Sequence, residues 1–302
     1  MKNKSIAIYL TVIGLLLVIS IGWYIFALQT QPTTDTVRFD GQRAYGDVQT
    51  QVAFGSRAPG SDGHAKVQAW MRDELVKSGW QVEVQESEAM GHPIRNIIAK
   101  RGDESPHIIL GAHYDTRMFA DNDPNPANHA LPVPGANDGA SGVAVLLELS
   151  RVLPEDTVPV WLVFFDAEDN GFIDGWDWIL GSTEFVENNP IQPKAVVIVD
   201  MIGDADLNIY KEKNSNVGLT NEIWTVAKNL GYDTIFIPEY KFTMIDDHTP
   251  FLQADIPAID IIDFDYPYWH TLQDTADKVS AESLNIVGET LQAWVMGQGI
   301  QP

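Results

Sequence analysis

Three continuous apolar runs stand out along the chain, and each ends at residue types that bind metal ions. The runs and the residues that follow them are 108–112 with His113 and Asp115, 160–165 with Glu168 and Asp169, and 195–199 with Asp200. Unbroken apolar runs of this length predict strands buried on both faces, as in the centre of a parallel sheet. Because the carboxyl ends of parallel strands meet at one edge of a sheet, we expect these side chains to converge.

The remaining periodicity predicts helices and a pair of edge strands. Residues 80–86 and 94–100 alternate apolar and polar positions, which indicates a half-solvated antiparallel pair, and a fourth buried strand is predicted at 256–262. Helical spacing is found at 40–53, 61–78, 143–153, 182–187, 221–230 and 280–296. The predicted fold is an α/β three-layer sandwich. Its mixed sheet is parallel in the centre, antiparallel at one edge, and covered by helices on both faces.

The N-terminal segment predicts a membrane anchor. Residues 6–28 are apolar and uncharged, and the run is long enough to cross a bilayer. Lys2 and Lys4 precede it, so the positive-inside rule puts the N-terminus in the cytoplasm and the rest of the chain outside. A cleavable signal peptide is the alternative, but its apolar core would be shorter. The predicted organisation is a cytoplasmic segment at 1–5, a transmembrane signal anchor at 6–28, a linker at 29–39 and an extracytoplasmic catalytic domain at 40–302.

Composition narrows the chemistry and the compartment. The chain of 302 residues has a formal net charge of −23, which argues against nucleic-acid binding, and it contains no cysteine. Without cysteine there is no disulfide, no thiolate metal site and no cysteine nucleophile, so any metal ion must be held by histidine and carboxylate. An exported chain without cysteine favours a bacterial or archaeal cell envelope.

Two further residues extend the set of metal-ligand types. Asp138 lies in a glycine-rich segment just ahead of a helix, where a simple helix cap is the alternative, and His270 follows Trp269. Glu168 and Asp169 are adjacent and point in different directions, so one can bind a metal while the other serves as general acid and base. Together these nitrogen and oxygen donors suit Zn²⁺.

An ordered set of motifs identifies a family. The motifs are SRAPGS at 56–61, HYDTR at 113–117, GANDGASG at 135–142, FFDAED at 164–169, GS at 181–182, VDMIG at 199–203, DDHTPF at 246–251 and WHT at 269–271. Residues 40–295 thereby resemble the zinc-dependent aminopeptidases with co-catalytic metals, and within them the animal-type glutaminyl cyclases. The DDHTPF and WHT segments favour the cyclase branch.

The resemblance implies roles for individual residues. The cyclase pattern would make Asp138, Asp169 and His270 the zinc ligands, and Glu168 the proton shuttle. The other implied roles are catalytic carboxylates at Asp200 and Asp246, and substrate-pocket walls at Trp269, Trp176 and His248. The DDH segment that contains His248 could also be a plain helix cap.

The chain departs from the cyclase pattern at two positions. Asp169 stands where the cyclases usually carry a glutamate ligand, and Asp260 corresponds by spacing to a cyclase histidine. His113 and Asp200 remain available for a second metal ion, and Asp115 is expected to orient His113.

Three functions follow, in order of preference. The first is an anchored glutaminyl-peptide cyclotransferase, an acyltransferase with one zinc ion that cyclises N-terminal glutamine to pyroglutamate and releases ammonia. The second is a dinuclear zinc aminopeptidase, which is a hydrolase, with Asp138 bridging the two ions. One ion would be held by His113 and Asp200, and the other by Asp169 and His270. The third is a membrane-anchored binding module without metal. The expected partners of either enzyme are peptide or protein N-termini, with the membrane contacted through the N-terminal helix.

Overall fold

The computed structural model describes residues 37–102 and 105–298, together with Ser20 and Trp23. The predicted anchor at 6–28 lies outside these ranges except for those two residues, and the linker is described only from residue 37 onward. Within the part of the chain that is described, no helix is both long and apolar enough to cross a membrane. The anchor and the compartment stay predictions.

Residues 37–102 and 105–298 fold into helices and strands. The helices are α1 (Gly41–Ala53), α2 (Asp62–Lys77), α3 (Ala140–Val152), α4 (Leu180–Asn188), α5 (Val217–Leu230), α6 (Thr249–Gln253) and α7 (Ala281–Gly297). The strands are β1 (Gln81–Ala89), β2 (His92–Lys100), β3 (Ile108–His113), β4 (Val160–Phe165), β5 (Ala195–Asp200), β6 (Ile209–Lys211), β7 (Phe236–Tyr240) and β8 (Ala258–Ile262).

The main sheet has the strand order β1-β2-β4-β3-β5-β8. β1, β2 and β4 pair antiparallel, whereas β4, β3, β5 and β8 pair parallel. The prediction of a mixed sheet with a parallel centre and an antiparallel edge is confirmed. The carboxyl ends of β3, β4 and β5 lie side by side, because His113 pairs in register with Phe165 of β4 and Gly111 with Ile198 of β5.

Apolar side chains cover both faces of the sheet. On one face, Val48 of α1, Leu146 of α3 and Leu291 of α7 belong to the same buried cluster as the central strands. On the other face, Phe185 of α4 and Phe251 of α6 pack edge-on against Phe165 of β4, with ring centroids 5.7 and 6.2 Å apart. Burial of these apolar side chains on both faces holds the layers together.

Two local features differ from the sequence expectation. β2 is more buried than a half-solvated edge strand, because it pairs with β1 on one side and with β4 on the other. β6 and β7 form a separate two-stranded parallel sheet that the sequence pattern did not predict. β6 is three residues long, so it is too short to show a periodicity.

Candidate metal centre

The carboxyl edge of the sheet gathers the predicted ligand types. β3 ends at His113, β5 ends at Asp200, and the chain leaving β4 carries Glu168 and Asp169. Asp138 stands just ahead of α3, since the following Gly139 takes a φ of +92° that permits an abrupt helix start. These side chains are buried, each at most 8% exposed.

One group of ligand atoms forms around His113. Its Nε2 lies 3.2 Å from Oδ1 of Asp138 and 3.1 Å from Oδ1 of Asp200. The ligand atoms of these three residues all lie within 4.8 Å of one another. This spacing is small enough for one metal ion to touch all three.

A second group forms around His270 and shares Asp138 with the first. Nε2 of His270 lies 2.8 Å from Oδ1 of Asp169 and 3.7 Å from Oδ2 of Asp138. The ligand atoms of this group also lie within 4.8 Å of one another. Asp138 therefore presents one oxygen to each group, which is the position of a bridging carboxylate between two metal ions.

The side chains fit zinc by their chemistry and by their unmet bonding. Oδ2 of Asp138 and Oδ2 of Asp169 are buried and have no hydrogen-bond partner. Burial, with the negative charge of Asp138 nearby, raises the pKa of Asp169 to about 6 and that of Asp200 to about 7. A divalent cation would offset this repulsion, and imidazole with carboxylate is a usual zinc donor set.

Glu168 belongs to neither group of ligand atoms. Its Oε2 lies 4.0 Å from Nδ1 of His113, and the side chain is 7% exposed. Burial and the charges of Asp169 and Asp246 raise its pKa well above the usual range for a glutamic acid. A carboxyl of this kind can hold and release a proton near neutral pH.

Asp115 holds the segment that carries Glu168 and Asp169. Its carboxylate accepts hydrogen bonds from the backbone N–H of Glu168 at 3.0 Å, from that of Asp169 at 3.3 Å and from Nδ2 of Asn170 at 3.1 Å. Oδ1 of Asp115 is 3.6 Å from Nδ1 of His113, which is longer than a hydrogen bond. The contacts of Asp115 thus position the Glu168–Asp169 turn more directly than they orient the His113 ring.

The segment before Asp138 is held from both ends. The buried guanidinium of Arg57, from the SRAPGS motif, donates to the carbonyl oxygens of Pro134 and Gly135 at 3.0 and 2.5 Å. On the other side, the carboxylate of Asp274 accepts from the backbone N–H groups of Asn137 and Asp138 at 2.8 and 3.2 Å. These contacts fix the loop that delivers the shared ligand.

Aromatic rings line the His270 side of the centre. The indole of Trp269 stacks on the His270 ring with centroids 3.8 Å apart. Trp178, which the sequence reasoning missed, also lies nearly parallel to that ring at 6.1 Å, and both indoles are half-buried. Trp178 sits directly over Gly171, where a Cβ would lie 2.2 Å from the indole.

Trp176 and His248 are the other two predicted pocket residues. Trp176 packs against a cluster that contains Ala167, the neighbour of Glu168, and its pocket role stays a prediction. Trp176 stacks on His92 at a centroid distance of 3.7 Å and packs against a small cluster that includes Ile94 and Leu180. His248 is completely buried and faces Glu212, so it does not form a solvent-facing wall. Asp246 is buried too, and its charge raises the pKa of Asp200.

A mixed α/β sheet whose carboxyl edge carries two candidate ligand groups around one shared aspartate indicates a metal-dependent enzyme. Comparison with known families agrees, because residues 96–295 match Peptidase family M28. The chain belongs to this family.

Solved structures with the same fold include both cyclases and exopeptidases. A Tannerella forsythia glutaminyl cyclase is 34% identical, with 86% of this chain and 99% of that chain covered at a TM-score of 0.81. A Zn-dependent exopeptidase from Parabacteroides distasonis is 31% identical over the same shares of the two chains, also at a TM-score of 0.81. The glutaminyl-peptide cyclotransferase of Gloydius blomhoffii is 25% identical over 80% of this chain and 77% of its own.

Proposed function

We propose that the protein is a zinc-dependent glutaminyl-peptide cyclotransferase, which cyclises N-terminal glutamine to pyroglutamate and releases ammonia. The observation that carries this proposal is a buried carboxyl outside the ligand groups, Glu168, in a centre whose His270 side is lined by two indoles. The bacterial cyclase that is 34% identical over nearly its whole length supports it. The proposal includes the predicted anchor at 6–28 and an extracytoplasmic catalytic domain.

The proposal assigns the zinc ion to Asp138, Asp169 and His270. The support is that their ligand atoms lie within 4.8 Å of one another and that two of the carboxylate oxygens have no partner. When bound there, zinc would act as a Lewis acid on the γ-carbonyl oxygen of the substrate glutamine. Asp200 and Asp246 are proposed to hydrogen-bond the departing amide nitrogen.

Glu168 would move the proton. Its carboxylate takes a proton from the α-ammonium group of the substrate, and the resulting amine nitrogen forms a bond to the side-chain amide carbon. Glu168 then gives this proton to the amide nitrogen, and the carbon–nitrogen bond breaks. The ring nitrogen loses a second proton, which the departing ammonia takes up as ammonium. A pKa raised by burial suits both halves of this cycle, since the same group must accept and donate near neutral pH.

The indoles of Trp269 and Trp178 would enclose the glutamine side chain. Flat apolar walls fit its methylene groups and exclude water from the reacting amide. The glutamine side chain of the substrate is uncharged, so the two indoles need not supply an ion-pair partner.

The test measures pyroglutamate formation from Gln-peptides by wild type and by Glu168→Gln, at equal zinc content. We expect kcat to fall by about 10²–10⁴-fold in the variant, the usual contribution of a general acid–base group. Glu187→Gln, an exposed substitution of the same kind on α4, is the matched control and should leave kcat unchanged. Full activity in Glu168→Gln would refute the proton-transfer role.

A dinuclear aminopeptidase is the second candidate, and one observation favours it. His113, Asp138 and Asp200 form a complete second ligand group that shares Asp138 with the first. In this alternative, Glu168 would take a proton from the attacking water. Two zinc ions per active centre with release of free N-terminal residues would support it, whereas one zinc ion with pyroglutamate formation supports the cyclase.

A further inference from the structure

A third group of buried ligand types lies apart from the two that share Asp138. It consists of Asp246 and His248, just ahead of α6, and Asp260 in strand β8. Their ligand atoms all lie within 4.8 Å of one another, and their exposures are 3%, 0% and 1%. The proposed reaction uses Asp246 but gives no role to His248 or Asp260.

Two of the three side chains in this group have polar atoms without partners. Both carboxylate oxygens of Asp260 and both ring nitrogens of His248 are buried without a hydrogen bond. An unpaired buried charge is costly, so a buried carboxyl without a partner either keeps its proton or binds a cation. The open atoms of His248 and Asp260 are at a spacing that a cation can bridge.

Glu212 completes the pattern of a metal-binding histidine. Its Oε2 lies 3.4 Å from Nε2 of His248. Ser215 donates to the same oxygen from its backbone N–H at 2.7 Å and from Oγ at 2.9 Å, and the Met244 N–H donates to Oε1 at 2.9 Å. Histidines that bind metals usually face a carboxylate with the second ring nitrogen, and this arrangement leaves Nδ1 of His248 for a cation.

The surroundings of the group supply negative charge that no lysine or arginine pairs with. The charges of Asp246, Asp200 and Glu212 all act on Asp260. Asp247, also fully buried, adds another carboxyl next to Asp246. Across residues 37–102 and 105–298, no lysine or arginine forms an ion pair with any of these acids.

We propose that Asp246, His248 and Asp260 bind a further divalent cation of the zinc class, with Glu212 orienting His248. Two carboxylates and one imidazole are a donor set that suits Zn²⁺. The cation neutralises the acids behind the active centre and fixes the position of Asp246. This site is separate from the choice between cyclase and aminopeptidase chemistry, because neither reaction requires it.

The experiment counts zinc ions in a background without the active-centre groups. Asp138→Asn removes the ligand that those two groups share, and the variant is stripped with a chelator, loaded with Zn²⁺ and weighed by native mass spectrometry. We expect one tightly held zinc ion in Asp138→Asn and none in the double variant Asp138→Asn/Asp260→Asn. Equal zinc counts in the two proteins would overturn the proposal.

A matched control and a wild-type measurement guard against misfolding. The control is Asp263→Asn in the Asp138→Asn background. Asp263 is another buried carboxyl just after β8, and its oxygens accept hydrogen bonds from the backbone N–H groups of Asn208 and Asp265. This double variant should keep the zinc ion. If a variant does not fold, anomalous diffraction at the zinc edge from crystals of the wild type soaked in Zn²⁺ decides. A peak between the three side chains is expected, and its absence would overturn the proposal. Loss of cyclase activity in Glu168→Gln leaves this readout unchanged, so the two proposals fail separately.

Discussion

Replacing Asp115 by asparagine tests whether one buried carboxylate positions the catalytic turn. The carboxylate accepts three hydrogen bonds, two of them from the backbone N–H groups of Glu168 and Asp169. An asparagine of the same shape has one acceptor oxygen, so its NH₂ group must face at least one of those N–H donors. Hydrogen bonds to charged groups contribute about 1.5–3 kcal/mol, and a buried donor without a partner adds a further penalty. We expect Asp115→Asn to lose about 2–4 kcal/mol of unfolding free energy.

The assay combines urea unfolding with zinc competition against a chelating dye. For a domain of this size the predicted loss corresponds to a fall in Tm of roughly 5–15 °C. Zinc affinity should fall by about 10–100-fold, as is usual when a residue behind a metal ligand is changed. Asp233→Asn, an exposed substitution of the same kind, should stay within about 0.5 kcal/mol of wild type. Wild-type stability together with wild-type zinc affinity in Asp115→Asn would refute the positioning role.

Three further predictions test the centre, the pocket wall and a buried acid. Removing the metal with a chelator should abolish activity, and adding Zn²⁺ should restore it. The unfolding free energy of the metal-free protein should be about 2.7 kcal/mol lower than that of protein in free zinc at 100 times its Kd. Gly171→Ala should displace Trp178 and raise KM for Gln-peptides several-fold, with the zinc content unchanged. Gly46→Ala is the control, because a Cβ there meets no other atom, and it should leave KM unchanged. Burial raises the pKa of Asp263 to about 7, so the folded state keeps a proton that the unfolded chain has lost, and stability should fall as pH rises from about 4 to 7. Urea unfolding at several pH values measures this fall in the unfolding free energy. The slope against pH should be smaller in Asp263→Asn than in wild type, by up to about 1.4 kcal/mol per pH unit, and equal slopes in the two proteins would contradict the prediction.

The central strands and their ends were predictable because burial on both faces leaves a simple signature. β3, β4 and β5 are unbroken apolar runs, and in a parallel sheet their carboxyl ends must share an edge. That rule alone predicts that His113 and Asp200 converge. The strand order, with β4 between β2 and β3, is set by long-range pairing and leaves no local trace in the sequence.

The parts of the site that were missed depend on contacts between distant residues. Trp178 lies in an irregular segment without periodicity, and it reaches His270 because it bridges back to Asp169 and rests on Gly171. The family resemblance implied a pocket role for His248. Its burial against Glu212 comes from a separate part of the chain, which sequence spacing does not report.

The most direct test of the account is the identity of the product made from a peptide that begins with glutamine. Purified protein with zinc is incubated with a Gln-Ala peptide, and the products are weighed by mass spectrometry. The cyclase proposal predicts a peptide of unchanged length whose mass is lower by one ammonia. Free glutamine with a peptide shortened by one residue would contradict it and assign the centre to aminopeptidase chemistry.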